Sequence, residues 1–323
     1  MLEILYATGL RVSELVSLKL SSIIENDLTN LSTQEGLDVS KELKSLNEKY
    51  YKKLEATYKH LTPWQVVEIA RHPDRPHASD YIKHVFSNFF PLHGDRSFGE
   101  DKAILGGLAK LNGNSVMVIG IEKGSTLEER MMHNFGMPNP WGYRKATRLM
   151  KLANKFNIPI VTLVDTPGAY PGIEAEERGQ GEAIATSIAT CLEVEVPLIS
   201  IIIGEGGSGG ALALASGDST LMLEYSVFSV ISPEGCASIL WKDNKMAAEA
   251  AKNLALTAKD LLKFNIIDKI IKEPLGGAQR DKIKTLESVK LTILNTLQEL
   301  QALSPKERKK KKHEKILNIG RIF

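Results

Sequence analysis

The chain has 323 residues, 43% of them hydrophobic, which is enough for one large or two ordinary domains around a proper apolar core. Lysine and arginine total 41 against 39 acids, a net charge of +2, so the molecule as a whole is not built to bind polyanions. The cysteines, Cys191 and Cys236, are too few for a disulfide scaffold or a thiolate zinc site and read as buried, reduced thiols. No window reaches the roughly eighteen uninterrupted apolar residues of a membrane span, and the start MLEILYATGLRVSEL lacks a secretory signal's basic segment, which places the chain in the cytoplasm.

In chain order, a first stretch of about twenty residues gives way to polar NDLTNLSTQEGLD and then to SKELKSLNEKYYKKLEATYKHL, whose helical spacing and dense charge predict an exposed or partner-covered helix. TPWQVVEIARHPDRP predicts a second helix, with Trp64, Val67 and Ile69 apolar and a proline-rich stop. From Ala103 the pattern becomes α/β. Strands are predicted at AILGGLAKL, SVMVIGIEK, IPIVTLVDT, PLISIIIG and SVFSVIS, with helices at GYRKATRLMKLANKF and ERGQGEAIATSIATCLE. IVTLVD runs into TPGAYPG, ISIII into GEGGSGG and VFSVI into SPEGC, each before a helix-compatible segment. Such repetition predicts a spiral of similar units that gathers helix N-termini, with their N–H groups and positive dipole ends, on one side of a sheet. Basic charge concentrates in KERKKKKHEK, Lys306 to Lys315, where a solvated helix face or tail is the expected form.

The glycine-rich turn GEGGSGGALA, Gly204 to Ala213, fits two motifs at once. As a G-x-G-x-x-G dinucleotide loop it has Glu224 about 20 residues on, but only ALALAS separates Gly210 from Gly217, which is short for the crossover helix required. As a G-x-S-x-G nucleophile elbow it centres on Ser208, yet only His313 follows, inside the lysine run. DTPG, Asp165 to Gly168, matches one GTPase element without the phosphate-cradling loop that must accompany it. Glycine also serves chemistry directly: at the start of a helix, Gly206 and Gly207 can turn N–H groups toward a developing oxyanion with no Cβ in the way. For Gly209 and Gly210, close helix–strand packing is the expected role.

RHPDRP (71–76), GDR (94–96), NFGMP (134–138), GYRKA (142–146), DTPGAYPG (165–172), EERGQGEAIA (176–185), GEGGSGGALA (204–213), SPEGCASILWK (232–242) and EPLGGA (273–278) together resemble the carboxyltransferase alpha subunit of bacterial acetyl-CoA carboxylase. The resemblance runs from about Leu37 to the tail. It implies an α/β, crotonase-like spiral of ββα units preceded by an α-helical N-terminal region. It also implies transfer of a carboxyl group from carboxybiotin, on a separate biotin carboxyl carrier protein, to the coenzyme A thioester acetyl-CoA, giving malonyl-CoA for fatty acid synthesis. The partners implied are a homologous beta subunit in an α2β2 assembly and biotin carboxylase. The family's zinc ribbon belongs to beta, so no metal is expected in this chain, and neither membrane nor nucleic acid is an expected partner. By the same resemblance the N–H groups of Gly206 and Gly207 serve the ureido oxygen of biotin, while Gly168, Ala169 and Gly172 line the biotin pocket, unless that loop is only a tight turn. No side-chain base is required, because the biotin anion can take the acetyl proton.

Other residues carry plainer readings. Glu174 to Glu182 are expected to cap helices and contact beta. Trp241 is expected to pack into the core with Cys236 beside it. Arg71, Arg75 and Arg96 are expected to be ion-paired or solvated, with coenzyme A phosphates as the alternative. Residues LEILYATGLRVSELVSLKLSSI depart from the family and resemble the box of bacterial tyrosine recombinases that carries a catalytic arginine, here Arg11. With no His-x-x-Arg segment or tyrosine nucleophile in context, the stretch reads as a remnant. The organisation expected is this remnant at 1–24, a helical region at 37–100, a carboxyltransferase domain at 101–295 and a basic helical tail at 296–323. The alternative to an enzyme is a non-catalytic scaffold or nucleic-acid-binding protein on the same fold.

Overall fold

The structure, a computed structural model, describes residues 40–321; the recombinase-like stretch at 1–24 lies outside the described residues. Three helices come first: α1 (Ser40–Lys59), α2 (Pro63–Ala70) and α3 (Ala78–Val85). Helix α1 is charged along its length and is anchored by Tyr58, whose buried hydroxyl donates to the Gly276 carbonyl at 3.0 Å. Helix α2 starts where the sequence signals it, with Thr62 and Gln65 forming a reciprocal capping box around Pro63.

One eight-stranded sheet follows, built from β1 (Ser87–Pro91), β2 (Ile104–Leu111), β3 (Asn114–Ile121), β4 (Ile160–Thr166), β5 (Leu198–Gly207), β6 (Ser219–Leu223), β7 (Val227–Ser229) and β8 (Lys269–Ile271). Its order is β1-β2-β3-β4-β5-β6-β8, with β7 paired to the end of β5. The first three strands are antiparallel and those from β3 onward parallel. Helices α4 (Leu127–Met132) and α5 (Pro140–Lys155) connect β3 to β4, α6 (Ile173–Glu177) and α7 (Gln180–Glu193) connect β4 to β5, and α8 (Ser208–Ala215) connects β5 to β6. Helices α9 (Pro233–Leu240), α10 (Ala247–Asn253) and α11 (Ala258–Lys263) precede β8, and α12 (Lys282–Gln301) and α13 (Pro305–Asn318) follow it.

Parallel strands laid down in sequential order with right-handed crossovers put every connecting helix on the same face. Alternate strand residues sort accordingly. Ile160, Val164, Leu198, Ile202 and Met222 pack with Leu149 and Met150 of α5, Cys191 of α7 and Leu214 of α8. Val161, Leu163, Ile199, Ile201 and Leu221 face the other way, onto Tyr81 and Ile82 of α3 and Val289 and Ile293 of α12. Burial on both faces explains why β4 and β5 read as continuous apolar runs rather than alternating ones.

Several expectations need correction. SVFSVIS is strand only over Val227–Ser229, because β7 is a short flank to β5 rather than a member of the main order. PLISIIIG extends through Gly207, and β1, β6 and β8 carry no sequence signal that marks them. Trp241 is 39% exposed at the end of α9, and Cys236 is half-buried; only Cys191 is the buried thiol expected. Burial pushes the Cys191 thiol up to about 12, so it stays protonated.

The basic tail is not a uniformly solvated face. Helix α13 turns Arg308, Lys312 and Lys315 inward, at the i, i+4, i+7 spacing of one helix side. Lys312 Nζ lies 3.0 Å from Asp218 Oδ1 and donates to the Cys191 carbonyl at 2.8 Å, Lys315 pairs with Asp268 at 2.8 Å, and Arg308 donates to the Glu195 carbonyl at 2.6 Å. Lys309, Lys310 and Lys311 remain exposed.

Candidate active site

The ends of β4 and β5 meet backbone to backbone. A methyl group added at Gly207 would sit 2.2 Å from the Pro167 carbonyl oxygen and 2.8 Å from the Gly168 nitrogen, and one at Gly210 would sit 2.5 Å from the Ala169 nitrogen. The same group at Gly206 would lie 2.7 Å from the Phe228 ring, and at Gly204 2.5 Å from an Asp165 carboxylate oxygen. Gly209 is different: its nearest neighbour would be Ile184 at 3.5 Å, an ordinary contact. The glycines therefore let two strand-end loops dock without side chains between them.

Thr166 staples the β4 loop, accepting from the Gly168 N–H at 3.0 Å and donating to the Gly168 carbonyl at 2.7 Å. Gly168 has φ +150° and open space where a side chain would stand. Ala169 packs toward Tyr143 and Ala213, and Gly172 caps the start of α6 under the Tyr170 ring. The structure thus joins Gly207 to Gly168 and sets Gly206 one residue back, while Gly172 belongs to the other end of the loop. Gly206 is registered against Thr166 of β4 and Phe228 of β7, so its backbone is fixed from both sides. A narrow recess beside these residues is lined by Thr166, Pro167, Gly206, Gly207, Ser229 and Ser232, without Gly168, Ala169 or Gly172.

Next to the recess lies a chain of charges. Lys123 Nζ is 2.8 Å from Asp165 and 2.6 Å from Glu205; Arg71 is 2.6 Å from Glu205 and 2.5 Å from Glu234. Asp165 also accepts the Glu205 N–H at 2.9 Å, and His77 Nδ1 stands 3.8 Å away, within electrostatic reach but beyond a hydrogen bond. Arg71, His77, Lys123, Arg130, Asp165 and Glu205 contribute to the walls of a half-open cavity of about 240 Å³. Burial pushes the Asp165 carboxyl up, but Lys123 and His77 more than offset it and hold the group well below the usual carboxylate range. Burial likewise raises Glu205, and Lys123 and Arg71 outweigh it and lower the group. These residues tie α2, β4, β5, α9 and the turn after β3 to the residue preceding Gly206. Apart from Arg71, expected to be ion-paired or solvated, sequence reasoning gave them no role; the available signal was that Asp165 and Glu205 are polar residues near the ends of two long apolar strands.

The sign of the Asp165 shift fixes a pH dependence. A carboxyl lowered in the folded state stabilises it fully above the unfolded value of about 3.9 and loses that contribution as pH falls toward the folded value. Asp165→Asn should therefore be less stable than the parent at neutral pH, with the gap closing below about pH 4. Urea unfolding across a pH series measures this; a gap independent of pH would contradict it.

The arginines of RHPDRP are ion-paired. Arg75 is buried against Glu273 at 2.8 and 2.9 Å, and Arg71 is engaged as above, whereas Arg96 is exposed. Glu174 and Glu182 sit in the first turns of α6 and α7, where the helix dipole favours them. Leu127, Met131, Phe135, Ile173, Val230, Ile239, Leu240 and Trp241, in segments that follow β3, β4 and β7 in the chain, are among the large apolar side chains left exposed. No described helix is long and apolar enough to cross a membrane.

A sequentially wound parallel sheet with glycine turns at its strand ends is the mixed α/β, crotonase-like class of fold. Solved structures agree: the chain superposes on transcarboxylase 12S with a TM-score of 0.54 at 21% identity, covering 68% of this chain and 42% of that one. It superposes on the beta subunit of P. aeruginosa geranyl-CoA carboxylase with a TM-score of 0.55 at 16% identity, covering 75% and 45%. The chain spans less than half the length of either neighbour, and at these identities the likeness is one of fold.

Sequence similarity is far closer elsewhere. The family model described as acetyl co-enzyme A carboxylase carboxyltransferase-like matches residues 15–320, and the chain belongs to that family. The acetyl-coenzyme A carboxylase carboxyl transferase subunit alpha of Gluconacetobacter diazotrophicus is 53% identical over 296 residues, 92% of this chain and 93% of its own length. That of Zymomonas mobilis is 54% identical over 292 residues, 90% and 92%. The match begins at residue 15, inside the recombinase-like stretch.

Proposed function

We propose that the chain is the alpha half of a carboxyltransferase that moves the carboxyl group of carboxybiotin, borne by a biotin carboxyl carrier protein, to acetyl-CoA, forming malonyl-CoA for fatty acid synthesis. The observation that carries this reading is the backbone contact of Gly207 with Pro167 and Gly168, which keeps two glycine turns free of side chains on one face. Gly206 and Gly207 offer N–H groups to the ureido oxyanion that forms as the carboxyl group departs, held in place by strand pairing on both sides. Gly168, Ala169 and Gly172 form the loop against which the bicyclic ring rests. The Lys123–Glu205–Arg71 chain fixes the residue before Gly206 and adds no acid or base to the reaction.

The thioester enolate needs its own donors, which the homologous beta subunit supplies, in an α2β2 assembly that works with biotin carboxylase in the cytoplasm; exposed apolar side chains such as Phe135, Ile173 and Trp241 are available for its contact. In this organisation residues 101–295 are the catalytic domain, 37–100 the helical region that also lends β1 to its sheet, and 296–323 the basic tail. Residues 1–24 are a remnant that takes no part in the reaction.

Biotin-dependent breakdown of malonyl-CoA to acetyl-CoA, the reverse half-reaction, tests the proposal with the chain alone, beta alone and the mixture. Activity in the mixture only is the expected result. A mixture shown to have assembled and yet inactive would overturn the reading in favour of a scaffold.

A further inference from the structure

The half-open cavity beside the glycine recess carries donors that its own acceptors do not engage. Lys123 takes Asp165 Oδ1 and Glu205 Oε2, Arg71 takes Glu205 Oε1, and the remaining oxygen, Asp165 Oδ2, faces His77 Nδ1 at 3.8 Å. Glu122, close to His77, spends both oxygens on the N–H groups of Ser79 and Gly124. The carboxylates around this cavity are therefore nearly used up.

The donors are not. Burial lowers the pKa of His72, which leaves its ring neutral at neutral pH. Its Nδ1 accepts the Asp74 N–H at 3.1 Å, so the ring proton sits on Nε2, and that buried nitrogen has no hydrogen-bond partner. His77 is buried with neither ring nitrogen hydrogen-bonded. Burial lowers its pKa, but Asp165 and Glu122 more than offset this and raise it, which favours the form with two N–H groups. Arg130 of α4 donates Nε to the Gly124 carbonyl at 3.3 Å and forms no ion pair among the described residues. These three side chains come from the turn after α2, the residue before α3 and α4, and all of them line the one cavity of about 240 Å³. Buried donors without acceptors call for an explanation.

A cation there would meet Arg71, Lys123 and Arg130, and an apolar ligand would leave the ring N–H groups unsatisfied. We propose that this cavity is a binding site for a small oxyanion of the bicarbonate or inorganic phosphate class, held by Arg130 and by the ring N–H groups of His72 and His77. Oxygen acceptors with a negative charge match a guanidinium and two imidazole donors. The walls share Arg71, Pro167 and Glu205 with the recess at Gly206 and Gly207, so the ion would sit next to that recess. The site needs no partner chain and does not depend on the carboxyltransfer reading.

Thermal unfolding of the full chain near neutral pH tests the assignment, with sodium bicarbonate in sealed vessels or sodium phosphate replacing sodium chloride at constant ionic strength. The expected result is a midpoint that rises and saturates with one of the two ions, while the ring signals of His72 and His77 in NMR spectra shift along the same curve. The two arms separate a planar from a tetrahedral ligand. Arg130→Gln, at a partly exposed position, should weaken binding about 10-fold to 100-fold, the loss of a charge-assisted hydrogen bond. His72→Asn keeps an acceptor for the Asp74 N–H and removes the Nε2 donor, so it should weaken binding as well. No saturable response to either ion, or the same response in the parent and both variants, would overturn the proposal and leave these donors to water. Either outcome leaves the test of carboxyl transfer unaffected.

Discussion

Replacing Gly207 by alanine is expected to lower malonyl-CoA breakdown by the assembled enzyme about 100-fold to 1,000-fold, the usual loss when an oxyanion donor is displaced. The added methyl would lie 2.2 Å from the Pro167 carbonyl oxygen and 2.3 Å from its carbon, and both belong to backbone that no rotamer change can move aside. Either the β4 loop retreats or the end of β5 tilts, and both movements carry the Gly207 N–H away from its aim. Overpacking of this kind also costs about 1–3 kcal/mol of stability. Gly209→Ala is the control, because its methyl would meet only Ile184 at 3.5 Å and alanine suits a helix better than glycine. Steady-state assays of both variants, with co-elution of the beta subunit to verify assembly, measure the contrast. Equal activity of Gly207→Ala and the parent would remove Gly207 from the site.

The largest loss of stability should come from Arg75→Met, at about 3–5 kcal/mol. Arg75 is 2% exposed and the side chain of its partner Glu273 is fully buried, so the substitution strands a carboxylate away from water. Glu273 would keep two backbone donors, the N–H groups of Tyr225 and Ala278 at 2.9 and 2.7 Å, but no opposite charge. A second change, Glu273→Gln, removes the charge and keeps an acceptor for one of those amides while setting its NH2 against the other, so the double variant should recover part of the loss but not all of it. Urea unfolding of the single and double variants gives the comparison, and a double variant no better than Arg75→Met would show that packing rather than charge dominates.

How much of this was legible beforehand depended on where each signal resides. The long apolar runs announced β4 and β5 because a strand buried on both faces needs no alternation, and Thr62 with Gln65 announced the start of α2. Lys269–Ile271 was invisible because three residues carry no period, and SVFSVIS promised a longer strand than the three residues Val227–Ser229; both are strands only because β5 and β6 offer them an edge. At the site, the glycine turns stood out in composition, and the motif order pointed to their family. The ion chain through Lys123, Asp165, Glu205 and Arg71 did not, since its members come from four places in the sequence and only the folded sheet brings them together. Trp241 misled for a related reason: a large apolar residue reads as core when no partner surface is in view.

The inward face of the last helix bears on how the molecule comes to be made. The Asp218 carboxylate is buried in the turn before β6, and the ammonium that neutralises it, Lys312, comes from α13, after every strand of the sheet. Chains emerge from the ribosome N-terminal end first, so nearly the whole sheet is synthesised while that carboxylate still lacks its counter-charge. A nascent chain stopped short of Lys312 has most of its apolar interior but an open seam along α7 and the β5–β6 turn. Arrival of the last described helix, rather than completion of the hydrophobic core, is the event that closes this seam.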